Sequence, residues 1–172
     1  LRVRYAVGIA ALLESLAEGD DPLTPAGDAS ARLLALLMRH RVAKTEATKH
    51  AVMEFAARAA RLSDAAEQDA AWPALVYLAV AEARASEFEI AADSSLLQSR
   101  FASATNDDVK ALLLFALSRG GEAQYGHLHR LLRSADSLSP RALACLALAF
   151  KSSGKLEDAK PVLERLVKAV KE

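Results

Sequence analysis

The sequence predicts an all-α fold of antiparallel helical hairpins, and three observations carry that expectation. Alanine and leucine dominate while β-branched residues are sparse, and both favoured types lose little conformational freedom in a helix. Apolar positions recur at three- and four-residue spacing almost throughout. Short breaker signals separate these stretches, and short connections force neighbouring helices antiparallel. The 172 residues suffice for one domain with a sizeable core, residues 1–172 being read as a single unit. At 52% apolar and 26% charged, the composition allows both folding and solubility.

The apolar spacing predicts helices over 2–17, 25–41, 44–62, 67–85, 91–103, 107–119, 122–134, 140–153 and 156–171. The stretch EGDDPLTPAGD, Glu18 to Asp28, is the one long breaker-rich loop. Asp64 with Glu67, and Thr105 with Asp108, have the spacing of capping boxes. Trp72 before Pro73 marks a helix start, with the ring as a packing anchor. Gly120, Gly121 and Gly154 stand where helices must stop and reverse, a place suited to left-handed backbone angles. Ser139-Pro140 reads as an N-cap followed by proline at the first helical position. Pro161 predicts either a late start for the last helix or a kink within it.

Spacing also predicts a repeat of about 34 residues over 72–172. Leu78, Leu112 and Leu146 are 34 apart, as are Gly120 and Gly154. Leu96-Leu97, Leu131-Leu132 and Leu166-Val167 are 35 apart. Three αα hairpins of one kind are expected there, each burying its apolar stripe by stacking on a neighbour. Leu112, Leu131, Leu146 and Leu166 are therefore expected in one continuous core.

Lys plus Arg equals Asp plus Glu at 22 each, and this zero balance argues against a dedicated nucleic-acid or membrane-surface binder. Residues 28–61 carry seven basic and three acidic side chains, and residues 64–93 seven acidic and one basic. Arg39 to Lys49 and Glu82 to Asp93 are expected to face solvent. No apolar run approaches the length of a membrane span, and no membrane insertion is expected. A chain that opens on Leu1 rather than Met is expected to be a piece of a longer protein or a processed product.

No catalytic, cofactor-binding or metal-ligating residue is assigned, and no binding residue can be named. His127 and His129 are two apart and diverge by about 160° on a helix, so they do not form a metal pair. His40 and His50 fall in the basic stretch MRHRVAKTEATKH and are expected to be exposed. There is no Gly-x-Ser-x-Gly elbow, no His-Glu-x-x-His and no phosphate-cradling glycine loop. Glu87 and Glu89 read as loop residues and Asp107-Asp108 as a helix start, not as an acid–base pair. The nine aromatic residues fall singly, mostly on apolar stripes, and core packing is the default reading for them. Cys145, the one cysteine, lies inside RALACLALAF past the first helical turn and is expected to behave as a small buried apolar side chain.

The stretches AAWPALVYLAVAEARASEFEIAADSSLL, Ala70 to Leu97, and Asp107 to Leu166 together resemble the α/α-toroid domain of bacterial α-macroglobulin-like proteins. The matching features are Leu112 to Leu117, Gly120-Gly121, Leu138-Ser139-Pro140, Leu143 to Phe150, Gly154 and Asp158-Ala159, over about 95 of the 172 residues. The family's Gly-Cys-Gly-Glu-Gln thioester motif is absent, as is its Gln-x-x-Asp-Gly-Gly-Trp turn, whose nearest counterpart is EQDAAWP from Glu67 to Pro73. The resemblance implies a scaffold in a cell-envelope protein, periplasmic in setting, that traps proteases without an active thioester. A tetratricopeptide-like open solenoid is the alternative. Leu146, Phe150, Gly154 and Ala159 suit its offsets, but Tyr125 stands where its small alanine belongs.

The functional expectation is thus a non-catalytic helical scaffold that binds protein, either other domains of a parent chain or a protease. A toroid-type enzyme such as a prenyltransferase or terpene cyclase needs an aspartate-rich motif or zinc ligands. Asp20-Asp21 and Asp107-Asp108 are only pairs at helix edges.

Overall fold

Eight α-helices and one 3₁₀ turn form the described part of the chain, with no strand among them. The computed structural model describes residues 27–63, 71–85, 88, 90 and 93–171, with side chains left aside at 27–32, 58–63, 71–73 and 76. The expected helix over 2–17, most of the Glu18–Asp28 loop, the Asp64–Glu67 cap, the Trp72 ring and Glu87 with Glu89 lie outside it. The helices are α1 (Gly27–Val42), α2 (Glu46–Ser63), α3 (Ala71–Ala85), α4 (Ser95–Ser103), α5 (Asp107–Arg119), α6 (Tyr125–Arg133), α7 (Pro140–Ser152) and α8 (Leu156–Lys171). The 3₁₀ turn, Ala135–Ser137, follows α6.

Local chemistry sets the starts. Thr45 and Thr48 form a reciprocal cap at the head of α2, each backbone N–H donating to the other's hydroxyl at 3.2 Å. At α5 the cap is Asn106, not Thr105: its Oδ1 accepts from the N–H groups of Asp108 at 2.8 Å and Val109 at 3.4 Å. Asn106 competes better because its amide oxygen reaches two of the orphan donors at once. Ser139 caps α7, accepting from the Ala142 N–H at 3.2 Å, with Pro140 at the first helical position. α4 begins at Ser95 rather than 91, and Asp93 accepts from both the N–H and the hydroxyl of Ser95 at 2.9 Å. α6 begins at Tyr125 rather than 122, because Glu122 is held back by other partners.

The stops share one device. The N–H groups of Phe88, Glu122 and Lys155 donate to the carbonyls of Ala83, Leu117 and Phe150, a five-residue return that closes the ends of α3, α5 and α7. These carbonyls lie 34 and then 33 residues apart. Gly121 (φ 93°) and Gly154 (φ 71°) take the left-handed position of the last two turns, whereas Gly120 keeps a right-handed φ of −75°. The pairing of Gly120 with Gly154 is thus one residue out of register. In matched register Leu112 corresponds to Cys145 and Leu113 to Leu146. The 35-residue spacing of the second helices is not structural either. α6 and α8 start 31 residues apart, because three residues follow Gly121 before α6 and one follows Gly154 before α8.

The helices pair as α1–α2, α3–α4, α5–α6 and α7–α8. First helices also pack in single file, α1 on α3, α3 on α5 and α5 on α7, and α2, α4 and α6 each touch the following first helix. The apolar interior falls into two clusters. Leu33, Leu36, Leu37, Val52 and Phe55 pack with Val80 and Phe88 in one, and the helices from α3 to α8 form the other. α3 joins them, giving Ala79, Val80 and Ala83 to the first and Ala74 and Tyr77 to the second. Leu112, Leu131 and Leu146 are buried, while Leu166 is only partly so. Among the described residues no helix is long and apolar enough to cross a membrane.

Candidate protein-binding face

The first helices carry a row of matched positions. Met38, Ala81, Phe115 and Leu148 each stand four residues before the last residue of their helices. Ala81, Phe115 and Leu148 also match by the turn bonds that close α3, α5 and α7. Met38 is 52% exposed and Leu148 42%, Phe115 is half-buried, and Ala81 forms a buried floor between them. Leu34 and Val42 extend the open apolar surface along α1. Apolar side chains left to solvent cost free energy unless something covers them.

The edge of this row is charged. Arg119 Nε donates to Glu82 Oε1 at 2.6 Å, tying α5 to α3. That bond chiefly holds the Glu82 carboxyl below the usual carboxylate range, with the charges of Arg119 and Arg41 helping and burial opposing. The same bond raises the Arg119 pKa. The Arg41 charge comes from the end of α1, a helix that packs against α3. Arg41, Lys44 and Lys49 are exposed around the α1–α2 turn. Within the acidic stretch Asp93 is exposed, but Phe88 is buried and Glu82 is drawn into its ion pair.

A second polar group braces α3 at Tyr77, near its middle. Glu122 accepts from the Tyr77 hydroxyl at 3.3 Å, the Ser94 hydroxyl at 2.6 Å and the Gln98 amide at 2.8 Å. Burial, then the Glu122 charge and hydrogen bond, push the Tyr77 phenol up, so it stays a donor. Gly120 lets this happen: a Cβ there would meet Tyr77 Cε1 at 2.6 Å.

Groups singled out by their chemistry are spread apart. His40 is not simply exposed: its ring contacts Thr48 Oγ1 at 2.9 Å and meets the edge of Phe88 at 5.0 Å. His50 is exposed beside Glu54. His127 packs edge-on to Phe101 at 4.8 Å, and His129 to Phe150 at 5.4 Å, so each rests in a different contact. Cys145 is buried at the wall of a small cleft of about 120 Å³ with Leu112, Arg141 and Asp108. Burial pushes its thiol up, which disfavours the nucleophilic thiolate. A wider cleft of about 260 Å³ opens between α4, α5 and α6 beside Phe101, Lys110 and Arg130. Among the described residues no three His, Cys, Asp or Glu side chains are grouped to hold a metal ion.

Sequence reasoning missed Glu122 and the open row. An acidic residue directly after Gly120-Gly121 is the available signal for Glu122, since the turn aims it back at α3 and α4. The openness of Leu148 has no sequence signal, because apolar spacing does not say which neighbours exist. Compared with known proteins, the chain matches no family model, no curated sequence and no solved structure.

Proposed function

We propose that this chain is a non-catalytic scaffold of stacked helical hairpins, of the open tetratricopeptide-like kind, which holds a segment of another protein across its first helices. The row from Met38 through Phe115 to Leu148 carries the reading, being apolar, matched in position and open at Met38 and Leu148. The segment that fits is apolar where it crosses the row and acidic where it passes Arg41, Lys44 and Lys49. The test selects binders from a random peptide library on the purified chain, then repeats the measurement on Met38→Glu and Leu148→Glu. Apolar-acidic peptides that lose at least tenfold affinity on either variant, and weaken with salt, support the reading. A selection that enriches nothing, or peptides that bind the variants equally, sinks it.

A closed α/α toroid of the α-macroglobulin-like kind is the second reading, supported by the run from Asp107 to Leu166. Thioester and β-sandwich domains encoded in one reading frame with this chain would favour the toroid.

A further inference from the structure

The wider cleft, between α4, α5 and α6, combines an apolar base with cationic groups. Leu131 is buried there, and Phe101 and Ala104 are half-buried around it. Lys110 and Asp107 line it as a pair, the ammonium donating to Oδ1 at 3.2 Å, so each largely cancels the other's charge. His127 and Arg130 line it from α6. They stand three residues apart, which sets them on one face of that helix. The His127 ring is held edge-on to Phe101 at 4.8 Å.

Both α6 groups have donors to spare. Among the described residues no hydrogen bond or ion pair engages a ring nitrogen of His127 or the guanidinium of Arg130. A neutral imidazole keeps one N–H donor, and a guanidinium offers a planar fork that matches a carboxylate. In the next groove along the stack the chain supplies such carboxylates itself. There His129 of α6 meets Asp158 at 3.7 Å, and Arg165 donates to Asp136 at 2.8 Å. The α4–α6 groove has the cation on α6 and no carboxylate of its own bonded to it.

Size and charge name the ligand. Lys110 and Arg130 against Asp107 leave one positive charge in excess, which one carboxylate neutralises and a phosphate dianion overshoots. An enclosed cavity of about 150 Å³ holds a benzene ring. The cleft of about 260 Å³ therefore has room for one ring-sized apolar group and its acid. We infer that this cleft binds a ring-sized apolar group carrying a free carboxylate. The carboxylate sits on Arg130 and His127, and the apolar group on Phe101, Ala104 and Leu131. A free small acid and the last residue of a chain both present this chemistry. The cleft shares no residue with the row from Met38 to Leu148 and is independent of it.

Calorimetric titration of the chain with phenylacetate tests this. Saturable binding is expected with a Kd below about 1 mM, and phenylacetamide and inorganic phosphate are each expected to bind at least about tenfold more weakly. Arg130→Gln is expected to lose at least about tenfold in affinity with unchanged helix content and Tm, while Met38→Glu loses nothing. Acetyl-Gly-Gly-Phe with a free carboxyl group distinguishes the sources. Binding tighter than that of phenylacetate assigns the carboxylate to a chain terminus, and equal or weaker binding assigns it to a free acid. Absence of saturable binding by both acids overturns the inference, as does an amide or a phosphate that binds as tightly as phenylacetate. Affinity unchanged in Arg130→Gln overturns it equally, because the carboxylate then sits elsewhere.

Discussion

Glu82 and Arg119 stand 37 residues apart and meet at 2.6 Å on the surface between α3 and α5. Both side chains are about one-third exposed, so solvent screens the pair and its worth is at most about 1 kcal/mol. The Glu82 pKa is lowered on folding, chiefly by the Arg119 hydrogen bond. A depressed carboxyl contributes stability that is full above its unfolded value and is lost as pH falls through the folded one. Glu82→Gln is therefore expected to cost about 0.5–1 kcal/mol at neutral pH and almost nothing near pH 2. Urea denaturation at both values checks this, and an equal gap at both would assign the loss to packing rather than charge. Gly120 and Gly121, adjacent in sequence, do different jobs. Gly121 supplies a left-handed angle, and Gly120 supplies room for the Tyr77 ring.

At the scale of the element, most helix starts and stops were readable because capping is local. Ser139-Pro140 and the two left-handed glycines act through neighbours within a few residues. The start of α6 was not readable, because partners elsewhere hold the residues before it: Glu122 serves Tyr77, 45 residues away, as well as Ser94 and Gln98. Pro161 sits inside α8, which starts at Leu156, so it is past the first turn and removes a bond that its N–H would have given to the Glu157 carbonyl. Glu157 is exposed, where an unpaired carbonyl costs less than in the core. Pro161→Ala is expected to raise stability by about 1–3 kcal/mol and lift Tm, as restoring an interior helical bond does. A lower Tm on a calorimetric scan would mean that the proline ring contributes more by packing than it costs in hydrogen bonding.

Across the whole molecule, burial separates residues that sequence treats alike. Leu146 and Leu148 are two apart on α7, and both are leucines in RALACLALAF. Leu146 is 0% exposed within the larger cluster, and Leu148 is 42% exposed on the open row. Leu146→Ala is expected to cost about 2–5 kcal/mol, because it leaves a cavity between hairpins. Leu148→Ala is expected to cost less than about 1 kcal/mol, since much of the removed surface is already wet. Chemical denaturation of the two variants measures the difference, and similar midpoints would refute the stacking described here. α3 makes the stack one body by presenting opposite faces to the two clusters.

The sequence by itself determined that the described chain is helical, where most helices end, and that Cys145, Leu112 and Leu146 lie inside. Composition, three- and four-residue spacing and local caps act over one or two turns, so they are written in contiguous residues. The register between hairpins belonged to the tertiary structure. Loop lengths after Gly121 and Gly154 differ, and a leucine-rich helix offers several spacings near 34 that only packing chooses between. The openness of Leu148 was likewise decided in three dimensions. Whether an apolar side chain is core or surface depends on which helix lies against it, and that neighbour is set by the order of stacking rather than by the residue.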